Sequence, residues 1–315
     1  MLFALASAAA ILLFVPVISG RFSRRIHPAD WTRWSFASVV AGGIAIEVAL
    51  VLFSLPTVLC TFGAYALVNA CASMTGSLMP GGRVVGWSVA VLAMVVAVAF
   101  SLGMRKVRKA NRTVEACLSS LRPTVVCGHE VITTNFDDPI ALTVRGSRPV
   151  IVVSSAMRDS LSEDQFHAVV RHEAAHLSHR HDLYLAVLCG IDSALRMVPF
   201  VRRSTNAVRC GIERWADADA AASTPGGRST VREALLAIVF APYPEGLAAF
   251  GAVETIAARV TALQNPIELS TTRRHALAFG LSVALVVATL AAAVGGNNLW
   301  HVLNIPAFCE LTLQL

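Results

Sequence analysis

The chain has 315 residues, of which 55% are hydrophobic and only 15% charged, and its mean hydropathy is +0.63. Soluble globular domains carry about a quarter charged residues, so the composition argues against an ordinary soluble protein and for membrane helices. The net charge of +6 would suit nucleic acid if the basic residues formed a patch on a soluble domain. Here they flank apolar stretches, as in cytoplasmic membrane loops, and no direct nucleic-acid partner is expected.

Residues 1–20 are almost wholly apolar and long enough to cross a bilayer. A secretory signal would place basic residues before the apolar run. Here Arg21, Arg24, Arg25 and Arg33 follow it, so an uncleaved first span is expected, with its N-terminus outside and a cytoplasmic loop over 21–34. Residues 35–74 are a second apolar tract broken at Pro56. It can be read as one span, about 36–56, followed by a piece dipping at the outer face, or as two spans. A clearer span covers about 84–104 and runs into Arg105, Lys106, Arg108, Lys109 and Arg112. Both basic loops belong inside, so an even number of crossings separates them, which favours a single span in 35–74. Glu47 is costly in hydrocarbon unless it faces another helix, and is read as a packed polar residue rather than a catalytic one.

The character changes between 114 and 154. Residues 121–127, 141–144 and 150–153 are β-like, with turns at 135–139 and 145–149, which predicts a small, mainly antiparallel sheet. Ser162 followed by Gln165 reads as a capping box opening a helix. Within that helix lies His172-Glu173-Ala174-Ala175-His176. Two histidines four apart share a helix face, where both imidazoles can serve one Zn²⁺. Glu173 is then placed to take a proton from a water acidified by the metal. His179 and His181 are read as surface residues near the helix C-terminus, where positive charge is favoured, rather than as cleft residues. Asp182 is expected to cap the next helix.

Residues 183–201 are apolar but hold Asp192 and Arg196, spaced to pair. A span here would place the histidines and the downstream acids on opposite sides of the membrane, so a helix buried in the domain or lying on the bilayer is expected. Arg202, Arg203 and Arg209 suit a cytoplasmic surface. Glu213 and Asp217 sit four apart on one helical face. Glu213 is the candidate third metal ligand, and Asp217 the acceptor for a ligand's second ring N–H. A turn at 223–227 precedes helices at about 229–241 and 251–264. Arg273, Arg274 and His275 then flank a last span at about 276–294, leaving a short outer tail. Cys117, Cys127, Cys189 and Cys210 show no C-x-x-C spacing and read as small apolar fillers. Cys71 and Cys309 fall on the outer side and are candidates for a disulfide.

The run from Phe166 to Asp182 around His172-Glu173-x-x-His176, with Glu213-x-x-Ala216-Asp217 downstream, resembles the integral-membrane gluzincin metallopeptidases. It is similar both to the HtpX/CAAX-prenyl-endopeptidase family and to the beta-lactam-sensor antirepressor (BlaR/MecR-type) family. The resemblance covers roughly 122–222 well. It implies one Zn²⁺ held by His172, His176 and Glu213, with Glu173 as the catalytic base and Asp217 behind a ligand. In zincin-like enzymes an edge strand aligns the substrate backbone by strand addition. Ala141, Leu142, Thr143 and Val144 are the candidate segment here; a plain hairpin covering the helix is the alternative. The tail after 295 is too short for the penicillin-binding domain of the beta-lactam sensors, so the expectation is a protease core without antibiotic sensing.

The expected fold class is an α-helical membrane protein of about four transmembrane helices with an inserted α+β zincin-like domain. Residues 1–104 would form the N-terminal membrane region, 105–275 a cytoplasmic peptidase domain, and 276–315 the last span and tail. The expected function is zinc-dependent endopeptidase activity in the plasma membrane on a protein or peptide substrate. Regulated cleavage of a protein such as a repressor is favoured, with a separate sensor or repressor as partner. Quality-control proteolysis of the HtpX kind and a non-catalytic zinc-binding scaffold are the alternatives.

Overall fold

A computed structural model describes residues 2–20, 26–62, 82–146, 148–240 and 250–265. The chain begins with α1 (Leu2–Ser19) and α2 (Pro28–Thr61), followed by α3 (Gly82–Leu118). Pro28 opens α2, where a missing N–H costs nothing because first-turn amides have no intrahelical partner, and the Nδ1 of His27 accepts from the Ala29 N–H. The helix therefore begins inside the stretch read above as a loop to residue 34. The basic run 105–112 is likewise a continuation of α3 and not a loop. Helical propensity of Arg, Lys and Ala carries the helix past the apolar segment.

Among the described residues, two helices are long and apolar enough to cross a membrane, over Pro28–Leu59 and Arg83–Leu118. In their most apolar windows only 17% and 11% is buried within the protein, so most of that surface faces outward. Of the four spans expected from sequence, the first is represented only by the shorter apolar helix Ala9–Ser19; the 276–294 span lies outside the described residues, as do residues 63–74, Cys71 and Cys309.

The sheet has four strands, β1 (Thr124–Val126), β2 (His129–Thr134), β3 (Ala141–Val144) and β4 (Val150–Ser154), in the order β1-β2-β4-β3. β1 and β2 form a hairpin through Cys127 and Gly128, both at positive φ (50° and 80°), as a two-residue type I′ turn requires. β2 runs parallel to β4, while β1 pairs antiparallel with β2 and β3 antiparallel with β4, so the sheet is mainly antiparallel, as expected, with one parallel pairing. β2 escaped the sequence reading because His129, Glu130, Thr133 and Thr134 interrupt its apolar pattern. β3 is an edge strand, as expected. Alternation gives the sheet two buried faces. Val131, Ile151 and Val153 join a core with Phe166, Val169 and Val170; Ile132, Val144, Val150 and Val152 pack with Val114 and Leu118 at the end of α3.

After β4 come α4 (Ser155–Asp159), α5 (Glu163–Ser178), α6 (His181–Leu195), α7 (Pro199–Ser223), α8 (Arg228–Phe240) and α9 (Phe250–Gln264). The capping box at α5 is present in both directions, Ser162 to Gln165 and back. The 183–201 stretch is not one helix: it breaks between Leu195 and Pro199, because a proline disfavours helix in the residue before it. Asp192 does not pair with Arg196. It accepts from the Thr205 hydroxyl at 2.6 Å and from Arg209 at 2.7 Å, both on α7. α7 links the two parts of the molecule. Its first half (Val201, Val208, Ile212) shares a core with Leu13, Val39, Leu188 and Ile191; its second half carries the acids discussed next.

Candidate metal and catalytic site

α5 presents His172 and His176 one turn apart, and α7 crosses it so that Glu213 meets both. The His172 and His176 Nε2 atoms are 3.1 Å apart. Glu213 Oε2 lies 3.4 Å from His172 Nε2, and its Oε1 lies 3.7 Å from His176 Nε2. One donor atom from each of the three falls within 4.8 Å of the others. Ligands bound tetrahedrally to zinc at about 2.0–2.1 Å sit about 3.3 Å from one another. The observed separations therefore fit one such ion, and the donor set of two imidazoles and a carboxylate is a zinc set of the catalytic kind. Cys117, Cys127, Cys189 and Cys210 are free thiols outside this cluster.

The second layer holds the ligands in place. Asp217, nearly fully buried, sits with Oδ1 3.0 Å from His172 Nδ1. Asp217 in turn accepts from Arg259 through both oxygens, at 2.8 Å from Nε and 2.7 Å from Nη2, a bidentate pair. Arg259 Nη1 also approaches Glu213 at 3.3 Å. Arg259 arrives from α9, and the sequence reading missed it. Its signal was an arginine four residues before Leu263, on the same helical face as that apolar residue.

The expectation for His181 is overturned. It is no surface residue but fully buried at the first position of α6, with Nδ1 2.9 Å from His176 Nδ1. His179 is the C-cap of α5, as its position suggested, and pairs with Asp219 while stacking on Trp215 at 4.3 Å. Asp182 does not cap α6, whose N-cap is Arg180 in the left-handed region. Asp182 lies 3.1 Å from Arg145, which also donates to the Leu177 carbonyl and so ties the sheet to the end of α5.

The electrostatics follow from burial set against these partners. Burial opposes a charge on His172, but hydrogen bonds to Asp217 and Glu213 outweigh it and push its pKa up to about 10. Burial likewise opposes the Glu213 and Asp217 carboxylates, yet His172 and Arg259 hold both below the usual range. Burial and the charge on His172 press His176 down to about 4. Burial raises Glu173 to about 7, only partly offset by His172. His172 thus favours a proton and His176 resists one, while Glu173 stands at a value suited to taking and returning a proton near neutrality.

A cavity of about 340 Å³ opens over this cluster, lined by His172, Glu173, Glu213, Asp217 and Arg259 on its polar side. Met157, Val169, Val231, Leu235 and Ile238 form its apolar side. Of the strand proposed to bind substrate, Ala141 lines this cavity together with Pro139 and Ile140. Leu142 and Val144 face the opposite side of the sheet, toward α3. The polar side of the cavity meets a requirement of peptide hydrolysis, a proton-transfer group beside a metal-binding donor set.

Compared with known proteins, residues 140–234 match the model of Peptidase family M48. The match covers less than a third of the chain but contains His172, Glu173, His176, Glu213 and Asp217; Arg259 and the apolar helices α1 to α3 lie outside it. It supports a metallopeptidase of zincin type. No curated protein and no solved structure matches the chain.

Proposed function

We propose that this protein is a membrane-embedded zinc endopeptidase in which His172, His176 and Glu213 hold the ion and Glu173 is the catalytic base. The observation that carries the reading is the convergence of three donors at ligand spacing, with His172, Glu213 and Glu173 facing one cavity. When bound, zinc supplies Lewis acidity that acidifies water and polarises a carbonyl. Glu173 takes the proton of the attacking water and passes it to the leaving amine. Asp217, clamped by Arg259, orients the His172 ring. An extended substrate lies along the 139–144 segment at the edge of the sheet, adding a strand, with an apolar side chain in the Met157–Leu235 side of the cavity.

The membrane assignment rests on α2 and α3, whose apolar surfaces face outward. One end of each helix contacts the rest of the domain: Arg33 of α2 lies over Trp215 at 4.5 Å, and Val114 and Leu118 of α3 pack under the sheet. Basic Arg105 to Arg112 sit on that same side, and by the positive-inside rule they support a cytoplasmic domain. The biology that fits best is regulated cleavage of a cytoplasmic or membrane protein such as a repressor, with a separate partner supplying the signal.

The test is proteolysis by the full chain in detergent. Zinc-dependent cleavage of casein or of the protein itself, stopped by a chelator, is expected. Glu173→Gln should retain one zinc and lose turnover. A wild-type protein that binds one zinc and cleaves nothing would point instead to the scaffold role.

A further inference from the structure

The two histidine ligands are backed differently. His172 has a carboxylate behind it. His176 has another imidazole, the fully buried His181. Buried polar side chains cost stability unless they are hydrogen-bonded, and among the described residues the Nε2 of His181 has no hydrogen-bond partner. The ring sits edge-on to Trp215 at 4.8 Å and to Tyr184 at 6.0 Å. Arg180, at φ 56° between α5 and α6, makes the sharp turn that brings His181 back beneath His176.

We infer that His181 is a positioning residue that sets the tautomer and ring angle of His176 as a metal ligand, an inference that rests on the metallopeptidase reading above. His176 turns Nε2 toward His172 and Glu213. A ligating nitrogen must carry no proton, and neutral imidazole carries one, so the proton of His176 is on Nδ1. That N–H points at His181 Nδ1 from 2.9 Å. Two N–H groups cannot face each other there, so His181 Nδ1 is the acceptor and its own proton is on Nε2, against the aromatic wall. With His181 Nδ1 accepting, the pair holds His176 in the tautomer whose Nε2 is free for the metal.

The experiment compares zinc affinity of the full chain in detergent, by competition with a chelating dye, for wild type, His181→Phe, His181→Asn and His181→Gln. Asparagine places an acceptor near the Nδ1 position; glutamine places its amide near Nε2. Losing the partner of a ligating histidine costs about 10–100-fold in affinity. His181→Phe and His181→Gln should show that loss, and His181→Asn should stay within about threefold of wild type. Should His181→Phe fail to fold, the Asn and Gln pair decides, because a filler role favours the larger glutamine. Equal affinity in the Gln and wild-type proteins, or equal losses in Asn and Gln, overturns the inference and leaves the metallopeptidase reading standing. A wild type that binds no zinc overturns both.

Discussion

Replacing Arg259 by methionine would keep the length of the aliphatic stem and remove the guanidinium. The structure sets the size of the effect. Arg259 makes two charge-assisted bonds to Asp217, at 2.8 and 2.7 Å, with side chains 15% and 3% exposed. Bonds to charged groups contribute about 1.5–3 kcal/mol each, and breaking a buried ion pair from one side costs about 3–5 kcal/mol, because the remaining charge is stranded. The expected loss in Arg259→Met is thus about 3–5 kcal/mol of unfolding free energy, together with weaker zinc binding as Asp217 loses its hold on His172. Asp217→Asn in the same chain removes the stranded charge, so the double variant should recover about 2 kcal/mol of what the two single losses sum to. Lysine at 259 should rescue only partly, since an ammonium cannot form the fork. The assay is denaturant unfolding of the four-protein cycle in detergent with zinc bound. A single-variant loss below about 1 kcal/mol, or strictly additive losses, would refute the reasoning.

Glu173→Gln should bind zinc with wild-type stoichiometry and lower turnover by at least about 100-fold, the usual contribution of a positioned base; metal analysis beside a cleavage assay checks both halves. Stability of chelator-treated protein should fall as pH rises from 7 to 10. The raised pKa of His172, about 10, means that its charged form stabilises the fold, fully below its ordinary value near 6.5 and no longer above 10. The shift on Glu173 acts below pH 7 and stays out of this window. Zinc should abolish the slope, since a ligating His172 cannot bind a proton; unfolding at several pH values with and without zinc would expose the error if both slopes agree. Gly103→Val should destabilise the contact between α3 and α6. A Cβ at 103 would lie 2.9 Å from the Gly190 Cα and 2.8 Å from the Cys189 carbonyl oxygen. Overpacking of this kind costs about 1–3 kcal/mol, read as a lower thermal midpoint; an unchanged midpoint would show that these helices separate freely.

Much of the site was readable before any fold was known, because its parts obey local rules. Helical periodicity alone puts His172 beside His176 and Glu213 beside Asp217. The capping box at Ser162 marks the start of the helix that carries the histidines, and an apolar run ending in a basic cluster marks α3. Each signal spans a turn or two of chain, where spacing and geometry are nearly the same thing.

Other features depended on which segments meet. Nothing in the spacing of the chain says that α9 delivers Arg259 to Asp217, 42 residues away, or that His181 goes inward while His179 stays at the helix end. The parallel pairing of β2 with β4 was hidden for the same reason: a strand with four polar residues is recognised by its partner, not by its own pattern. Local sequence determined the donors and their chemical types. Tertiary packing decided which charges they face and which ring stands behind each one, because burial and partner distance, the quantities that orient a ligand and move its pKa, exist only after distant segments have closed on one another.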